Sequence, residues 1–304
     1  MLASRVVTML FRPVQRLLRR TIDSAFPSLG VWYRMMREQA MHDAPRDTPL
    51  GFKFVGNRQM QSGEFEPEET ALIAELLEQT DSFINVGANI GYYCCLALSK
   101  GKPTIAFEPI ESNVQYLARN VTANGWDERI EVIPVAWSDS IGFAKMYGGG
   151  TGASLIEGWA GTPKAYVRFV PVSTADRLLA GASLGNNVLV VMDVEGAELL
   201  ALRGASELLG RRPKPVWMVE IAVDQHQPGG QIIDPNLQAT FSIFWDAGYC
   251  AYTAQRAPRV VTQSEVAQVV RSGKNTLGVH NFLFVDKERP FVRHDRGTAQ
   301  SRQK

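Results

Sequence analysis

The chain has 304 residues, of which 45% are hydrophobic and 21% are charged, values typical of one large soluble domain with extensions. The net charge of +1 creates no overall field that would attract nucleic acid, so we expect no nucleic-acid partner. Cys94, Cys95 and Cys250 form no CxxC pattern, which argues against a disulfide scaffold or a zinc site and indicates a cytoplasmic protein.

The first 64 residues predict a basic extension followed by a loop-rich lead-in. Residues 1–37 contain seven arginines and one acidic residue, with apolar residues between them. No apolar run approaches the ~20 residues of a membrane span. Two interpretations stay open: the segment lies on an anionic membrane surface, or it packs its apolar residues on the domain with the arginines in solvent. Residues 42–63 are interrupted by prolines and glycines and predict loops with one short hairpin.

A helix over residues 67–80 precedes the stretch FINVGANIGYYCC, residues 83–95, which predicts a buried strand, a tight turn and a helix from Tyr92. The turn consists of Gly87, Ala88, Asn89, Ile90 and Gly91. Because glycine has no Cβ, such a turn brings bare backbone against a ligand, and the helix behind it offers free N–H groups. The stretch therefore predicts a site for a nucleotide or a nucleoside.

Glu108 follows a second predicted strand with the sequence TIAF. In doubly wound folds an acidic residue at this place accepts hydrogen bonds from ribose hydroxyls. The dinucleotide fingerprint G-x-G-x-x-G is absent, since three other residues separate Gly87 from Gly91. A ribose-binding acid without a diphosphate turn favours S-adenosylmethionine, which contains ribose and no phosphate. A plain glycine turn of an α/β domain is the alternative.

The rest of the chain alternates between predicted strands and helices, which predicts a parallel sheet with crossover connections. The glycine-rich residues 138–165 predict either a mobile lid or a surface excursion. We expect the last two strands to pair antiparallel across a long loop with no clear helix. The predicted elements are a helix from Ser112, its N-cap, to Asn124, strands over 130–137, 167–174, 188–192 and 216–219, a helix over 235–247, and strands over 249–253 and 281–286.

Carboxylates stand at the ends of two of these strands. Asp193 and Glu195 follow the buried strand 188–192, and Glu220 ends the next strand, before a polar loop with His226. Ligands of open α/β sheets bind at such strand ends. A hydroxyl acceptor has to lose a proton, so these four residues are the candidate general bases. The carboxylates could instead hold a hard cation, and Glu198 has a plain explanation as an acid in a first helical turn.

The motifs INVGANIGYY, AFEPIESNVQYLARN and VVMDVEGAELLALRGA resemble the FkbM family of S-adenosylmethionine-dependent methyltransferases over about residues 65–286. The resemblance implies a doubly wound, Rossmann-like class I methyltransferase fold of the α/β class, with a seven-stranded sheet whose last strand is antiparallel. It also implies O-methylation of a hydroxyl on a carbohydrate or a natural-product small molecule. This substrate is the partner that we expect. Residues 287–304 predict a charged, disordered tail.

Carried over by motif, Asn85, Gly87, Ala88, Asn89 and Gly91 match the cofactor turn, and Glu108 matches the ribose acid. The motif DVEGAE supplies Asp193 and Glu195. The family's turn usually begins with Asp, and Asn85 lacks the charge that favours the methionine ammonium group, so we expect weaker cofactor binding. A nicotinamide-dependent dehydrogenase and a non-catalytic nucleoside-binding domain are the two rival interpretations.

Overall fold

The structure is a computed structural model in which residues 44–289 are described. The predictions for the basic segment 1–37 and for residues 290–304 of the tail concern residues outside this range. The helices are α1 (Arg58–Ser62), α2 (Pro67–Glu78), α3 (Tyr92–Ser99), α4 (Glu111–Thr122), α5 (Ala175–Leu178), α6 (Glu198–Arg203), α7 (Ser206–Gly210), α8 (Leu237–Asp246) and α9 (Gln263–Ser272). The strands are β1 (Arg46–Asp47), β2 (Lys53–Phe54), β3 (Ser82–Val86), β4 (Thr104–Phe107), β5 (Ile130–Ile133), β6 (Ala136–Trp137), β7 (Gly142–Tyr147), β8 (Val167–Ser173), β9 (Val188–Met192), β10 (Val216–Glu220), β11 (Tyr249–Thr253), β12 (Val260–Val261) and β13 (Asn281–Asp286).

The central sheet has eight strands in the order β12-β11-β13-β10-β9-β3-β4-β5. Strands β5, β4, β3, β9 and β10 are parallel to one another, and β13 runs antiparallel to both β10 and β11. The predicted α/β sheet with an antiparallel last strand is therefore confirmed. It contains one strand more than the seven expected, because Val260 and Val261 of the predicted loop pair with β11 at the edge.

The chain reverses its progress across the central sheet between β3 and β9. It runs from β3 outward to β4 and β5 and then returns to place β9 beside β3. In open α/β sheets the crevice outside the carboxyl ends of the strands at such a point binds ligands. Val86 lies opposite Met192 in the register, so the residues that follow, Gly87 and Asp193, meet at this crevice.

Both faces of the central sheet are covered by helices. Every residue of β3 and β9 is buried, as expected for parallel strands between two helical layers. Alternate residues point to opposite faces: Phe83 packs with residues of α1, α2 and α3, whereas Ile84 packs with residues of α6, α7, α8 and α9. The strand ends that carry the candidate site residues therefore project from a rigid, doubly covered base.

A second sheet of three strands, in the order β6-β8-β7, packs beside the central sheet. The prediction of one strand over 130–137 is wrong, because β5 ends at Ile133 and the chain passes into β6 of the second sheet. Pro134 lies between the two strands and has no N–H to donate to a ladder. Strand β7 lies within the glycine-rich residues 138–165 and pairs antiparallel with β8, so part of that segment is regular structure.

Two helix predictions require correction. Helix α4 has Ile110 and not Ser112 at its N-cap, because the side chain of Glu108 accepts a hydrogen bond from the Ile110 N–H at 2.8 Å and fixes the entry of the chain. The loop expected between the last two strands contains α9. This helix begins with a capping box in which Thr262 and Glu265 satisfy each other's backbone N–H groups, and it buries Val266 and Val269.

The lead-in contains the expected hairpin, formed by β1 and β2. Phe54 and Met60 are buried in the same cluster as α2. Asn120 of α4 accepts from the Val55 N–H at 2.6 Å and donates to the Val55 carbonyl oxygen at 3.1 Å. The described part of the lead-in is thus packed into the domain. Within residues 44–289, no helix combines the length and the apolar character needed to cross a membrane.

Candidate active site

A pocket that opens to solvent lies at the carboxyl ends of β3, β4 and β9. Its space, counted together with the solvent-filled opening, is about 570 Å³. Gly87 and Asn89 of the predicted turn line one wall, and Glu108 lines the next. The second sheet and the glycine-rich segment close the far side with Trp137, Met146, Gly150, Thr151, Ala153 and Leu155. Asp193 and Glu195 complete the lining, so five of the predicted site residues surround one space.

Gly87 allows the ends of β3 and β9 to approach closely. Its φ is +79°, and a Cβ at this position would lie 1.8 Å from the Asp193 carbonyl oxygen. Asn89 is also left-handed, with φ +51°, which turns the backbone toward the pocket. Ala88 instead packs into the cluster beneath the turn, and Gly91 is the N-cap of α3; neither lines the pocket.

Glu108 is held at the pocket by three hydrogen bonds from its own chain. Its Oε2 accepts from the Asn89 N–H at 2.8 Å, and its Oε1 accepts from the Ile110 N–H at 2.8 Å and from Asn113 Nδ2 at 3.2 Å. Burial raises the pKa of Glu108 to about 7. A carboxylate has about four acceptor sites, so Oε2 keeps one site for a ligand hydroxyl.

Two residues that line the pocket each contain a buried polar atom without a hydrogen-bond partner among residues 44–289: Asn89 Oδ1 and Trp137 Nε1. Trp137 is 1% exposed and packs edge-on against Phe107, with ring centroids 5.1 Å apart. Buried donors and acceptors are normally paired, so these atoms point to a polar ligand. Asn89 Oδ1 is an acceptor, Trp137 Nε1 is a donor, and Glu108 Oε2 has one free acceptor site. This set fits a nucleoside, whose ribose carries hydroxyls and whose base carries ring nitrogens. The residues present therefore fit S-adenosylmethionine.

Asn85 lies beneath the turn and does not line the pocket. Its side chain is 2% exposed, accepts from the Cys94 thiol at 3.4 Å and donates to the Val191 carbonyl oxygen at 3.4 Å. These contacts connect β3 to α3 and β9. Weaker cofactor binding through a direct effect of Asn85 on the methionine ammonium group stays a prediction. In the structure Asn85 packs below the pocket.

The carboxylates of Asp193, Glu195 and Glu220 form one electrostatic cluster beside the pocket. Burial raises the pKa of Asp193 well above its ordinary value, and the charges of Glu220 and Glu195 raise it further. Burial also raises the pKa of Glu220 to about 8, with a further contribution from Glu195. Three predicted catalytic residues are thus close enough to influence one another's protonation.

Glu195 is fixed by the glycine-rich segment. Its backbone is left-handed, with φ +53°, and its carbonyl oxygen accepts from Ser154 Oγ at 2.5 Å. Its Oε2 accepts from Trp159 Nε1 at 2.8 Å. The indole ring of Trp159 covers Gly196, where a Cβ would lie 2.4 Å from Cζ3 of the ring. Burial raises the pKa of Glu195, and the hydrogen bond from Trp159 lowers it.

A further carboxylate, Glu66, faces the same cluster from the residue before α2. Tyr93 donates its hydroxyl to Glu66 Oε2 at 2.5 Å. Loss of hydration raises the pKa of Glu66, and the charges of Glu69 and Glu195 contribute to the increase. Within residues 44–289, no group of three or more His, Cys, Asp or Glu side chains has an arrangement that could hold a metal ion. The structure therefore gives no support to the alternative that the carboxylates bind a cation.

His226 and Glu198 take different places from the three clustered carboxylates. His226 is exposed, has φ +64°, and lies 6.1 Å from Trp159 between ring centroids; it does not line the pocket. Glu198 is 3% exposed, and its Oε1 accepts from the Gly196 N–H at 3.0 Å. Glu198 therefore holds the turn after β9 and has a structural role beyond the first turn of α6.

The residues that sequence reasoning did not single out are Trp137, Trp159, Glu66 and Tyr93. Trp159 was visible as an aromatic residue in a glycine-rich segment, but its partner Glu195 is 36 residues away in the chain. Glu66 precedes Pro67 at the start of α2 and has φ +40°, a conformation that no local pattern predicts. These contacts between distant parts of the chain have no signal in a single sequence.

The profile of the methyltransferase FkbM domain matches residues 85–249, which is more than half of the chain. The protein belongs to the FkbM methyltransferase family. The suspected resemblance is confirmed, and with it the class I methyltransferase fold of the central sheet. S-adenosylmethionine is the cofactor, and the family membership decides against the dehydrogenase alternative. A comparison with curated protein sequences found no significant match.

Solved structures similar to this FkbM family member include three methyltransferases. The methyltransferase FkbM from Methylobacillus flagellatus KT is 18% identical, with a TM-score of 0.40 over 67% of this chain and 43% of that chain. This chain therefore matches less than half the length of that protein. Precorrin-6y C5,15-methyltransferase from Geobacter metallireducens GS-15 is 9% identical, with a TM-score of 0.41 over 78% and 97% of the two chains. The O-methyltransferase from Bacillus cereus in complex with SAH is 11% identical, with a TM-score of 0.40 over 88% and 96%.

Proposed function

We propose that this protein transfers a methyl group from S-adenosylmethionine to a hydroxyl oxygen of a carbohydrate or of another hydroxylated small molecule. The observation that carries the proposal is the cluster of Asp193, Glu195 and Glu220 at the strand ends beside the cofactor pocket. A hydroxyl acceptor needs a group that takes its proton, and general bases work best when their pKa lies near the operating pH. Burial and the charges of Glu220 and Glu195 raise the pKa of Asp193 well above its ordinary value, and burial raises the pKa of Glu220 to about 8.

When bound, S-adenosylmethionine supplies a methyl group that is already activated for transfer. Gly87, Asn89, Glu108 and Trp137 would hold its nucleoside part, because they line the pocket and offer backbone, acceptor and donor groups there. Asp193 lines the same pocket and would accept the hydroxyl proton. Most of the remaining rate enhancement would come from alignment of the acceptor with the methyl group.

Glu195 and Glu220 would orient the acceptor and share the proton with Asp193. Sugar hydroxyls are donors as well as acceptors, and ionised carboxylates accept such hydrogen bonds strongly. His226 interacts electrostatically with Glu195 and lowers the pKa of that carboxyl group. The acidic character of the cluster opposes a polyanionic acceptor such as nucleic acid, whose binding depends on cationic residues. This supports a small-molecule or glycan substrate.

The test combines binding and turnover. We expect S-adenosylhomocysteine to bind in a calorimetric titration and NAD not to bind. We also expect radiolabelled methyl groups to appear on hydroxyls of at least one member of a panel of free sugars, glycosides and hydroxylated polyketide-like compounds. Transfer to an amine acceptor alone would contradict the hydroxyl assignment. Cofactor binding without transfer to any acceptor in the panel would favour the non-catalytic interpretation.

A further inference from the structure

The start of helix α2 faces the carboxylate cluster of the active site. Glu66 is the residue before α2, and Glu69 lies in the first turn of the helix. We call these two residues the α2 rim. Beyond the effect of burial, the charge of Glu66 raises the pKa of Asp193, and the charges of both rim residues raise the pKa of Glu220. Neither rim residue lies within residues 85–249, so the match to the family domain assigns them no role.

Two hydrogen bonds fix the α2 rim relative to the rest of the site. Tyr93, in the first turn of α3, donates its hydroxyl to Glu66 Oε2 at 2.5 Å. Asn281 Nδ2 donates to Glu69 Oε1 at 3.4 Å. Asn281 begins β13 and lies opposite Glu220 at the end of β10. The α2 rim is thus connected both to the helix that follows the glycine turn and to the end of β10, and its carboxyl groups are positioned before a ligand binds.

The negative charge of the cluster is only partly compensated by basic groups. Burial raises the pKa of Glu66, and the charges of Glu69 and Glu195 raise it further. The charge of His280 acts in the opposite direction on Glu66, as that of His226 does on Glu195. The pKa values of Glu66 and Glu195 nevertheless stay above the ordinary value. A cation bound beside these groups would favour their ionised forms.

Independent evidence for a polar ligand comes from the pocket beside the cluster. Trp137 lines this pocket together with Asp193 and Glu195. It is 1% exposed, and its Nε1 has no hydrogen-bond partner among residues 44–289. A buried donor without a partner indicates a polar ligand in this space. Glu66 is exposed to solvent, so a ligand that extends out of the pocket can reach the α2 rim.

The ligand group that suits the α2 rim is an organic cation. Metal ions need ligands in a fixed arrangement, and no group of His, Cys, Asp or Glu side chains within residues 44–289 has one. An ammonium group donates hydrogen bonds in several directions and needs no fixed coordination geometry. Its hydrogen bonds to carboxylates are about twice as strong as bonds between neutral groups. An anionic ligand would instead add to the repulsion within the cluster.

We propose that the α2 rim binds an ammonium group of the methyl acceptor, so that the acceptor is a hydroxylated amine of the amino-sugar type. This inference rests on the proposed function and extends it. Asp193 takes the proton of the acceptor hydroxyl, whereas Glu66 and Glu69 select acceptors that carry a positive charge. A protonated nitrogen has no lone pair and cannot attack the methyl group. Transfer therefore goes to the hydroxyl oxygen, and the ammonium group stays unmodified.

The experiment compares matched sugars by calorimetric titration of the full-length protein, saturated with S-adenosylhomocysteine, near neutral pH. The ligands are glucosamine, galactosamine and mannosamine, each with its N-acetylated form and its neutral parent sugar. We expect at least one amino sugar to bind at least about tenfold more tightly than both of its uncharged counterparts, or ~1.4 kcal/mol. Radiolabelled S-adenosylmethionine then reports methyl transfer to the same sugars, and we expect the label on oxygen.

The variant Glu66→Gln removes the charge of Glu66 and keeps an oxygen that can accept from Tyr93. It should lose the preference for the amino sugar and retain its affinity for S-adenosylhomocysteine. The matched control is Glu68→Gln, because Glu68 is an exposed acid in the same first turn of α2 and belongs to neither the α2 rim nor the cluster. This control should retain the preference. If Glu66→Gln loses its melting transition, Glu69→Gln is measured in its place.

The inference and the proposed function fail in different ways. Equal affinity for every amino sugar and its uncharged counterparts overturns the inference, and so does a preference that Glu66→Gln retains. Label on the nitrogen of an amino sugar also overturns it, because that nitrogen would have bound without its proton. Label on hydroxyls of neutral sugars, with no preference for amino sugars, overturns the inference and supports the proposed function. A preference that depends on Glu66, without any transfer of label, supports ammonium binding at the α2 rim and contradicts the proposed function.

Discussion

The hydrogen bond from Trp159 to Glu195 gives a sharp test of how the glycine-rich segment tunes the site. Trp159→Phe keeps an aromatic ring over Gly196 and removes the indole N–H that donates to Glu195 Oε2 at 2.8 Å. Burial raises the pKa of Glu195, and this hydrogen bond opposes the increase. Loss of the bond should therefore raise the pKa of Glu195 further and leave its carboxylate more fully protonated at neutral pH.

The size of the effect follows from the strength of such bonds. A hydrogen bond to a charged group contributes about 1.5–3 kcal/mol, and 1.36 kcal/mol corresponds to one pH unit. In the proposed mechanism the deprotonated cluster is the active form, so we expect the rising limb of kcat/KM against pH to move to higher pH by about one to two units. Activity below the limb should fall about ten- to a hundredfold, and activity on the plateau at high pH should recover.

The assay is transfer of a radiolabelled methyl group, measured across the pH range for the parent, Trp159→Phe and a matched control. Trp217→Phe is that control, because Trp217 Nε1 donates to the Tyr249 hydroxyl at 3.2 Å in the buried core and neither residue lines the pocket. An unshifted profile for Trp159→Phe, or an equal loss of rate at every pH, would refute the reasoning. The first outcome would show that Glu195 does not contribute to the titration seen in the rate, and the second would show that Trp159 contributes only packing.

The remaining predictions concern cofactor binding, packing and pH. Glu108→Ala should weaken binding of S-adenosylhomocysteine at least about tenfold by calorimetry; unchanged affinity would exclude Glu108 from the ribose site. Asn85→Asp places a carboxylate near the Val191 carbonyl oxygen in a buried site, so its melting temperature should fall further below the parent's at high pH than at low pH; a constant difference would contradict this. Burial raises the pKa of Glu108 to about 7 and that of Glu198 and Glu220 to about 8, from an ordinary 4.5. An acid whose pKa is higher in the folded than in the unfolded protein contributes its full stabilisation of the fold below about pH 4.5 and loses it as the pH rises through about 8. The melting temperature should therefore decrease over that pH window, and Glu198→Gln should make the decrease smaller.

The sequence was most informative where local pattern and topology agree. The run of buried strands and the glycine turn predicted the parallel sheet, and strand-end positions brought Glu108, Asp193 and Glu195 to one pocket. Helix α9 was not predicted, although Thr262 and Glu265 form its capping box. The second sheet could not be predicted, since Pro134 divides one apolar run between two sheets.

The parts of the site that depend on distant contacts were not predictable. Trp159 reaches Glu195 across 36 positions, and Glu66 reaches Tyr93 across 27. Asn85 matched the cofactor motif by position, but the structure turns its side chain toward Cys94 and Val191 below the pocket. Motif matching gives the element on which a residue lies, whereas the direction of its side chain depends on packing that a single sequence does not contain.

The central claim is that Asp193 accepts the proton of a hydroxyl acceptor beside the bound cofactor, and Asp193→Asn tests it most directly. The measurement is methyl transfer to the best acceptor of the panel, with S-adenosylhomocysteine affinity determined on the same preparations and Glu198→Gln as the control for a buried acid outside the pocket. A general base contributes about 10²–10⁴ in rate, so Asp193→Asn should lose at least about a hundredfold in kcat with its cofactor affinity retained, and Glu198→Gln far less. Turnover by Asp193→Asn at the parent's rate would contradict the account.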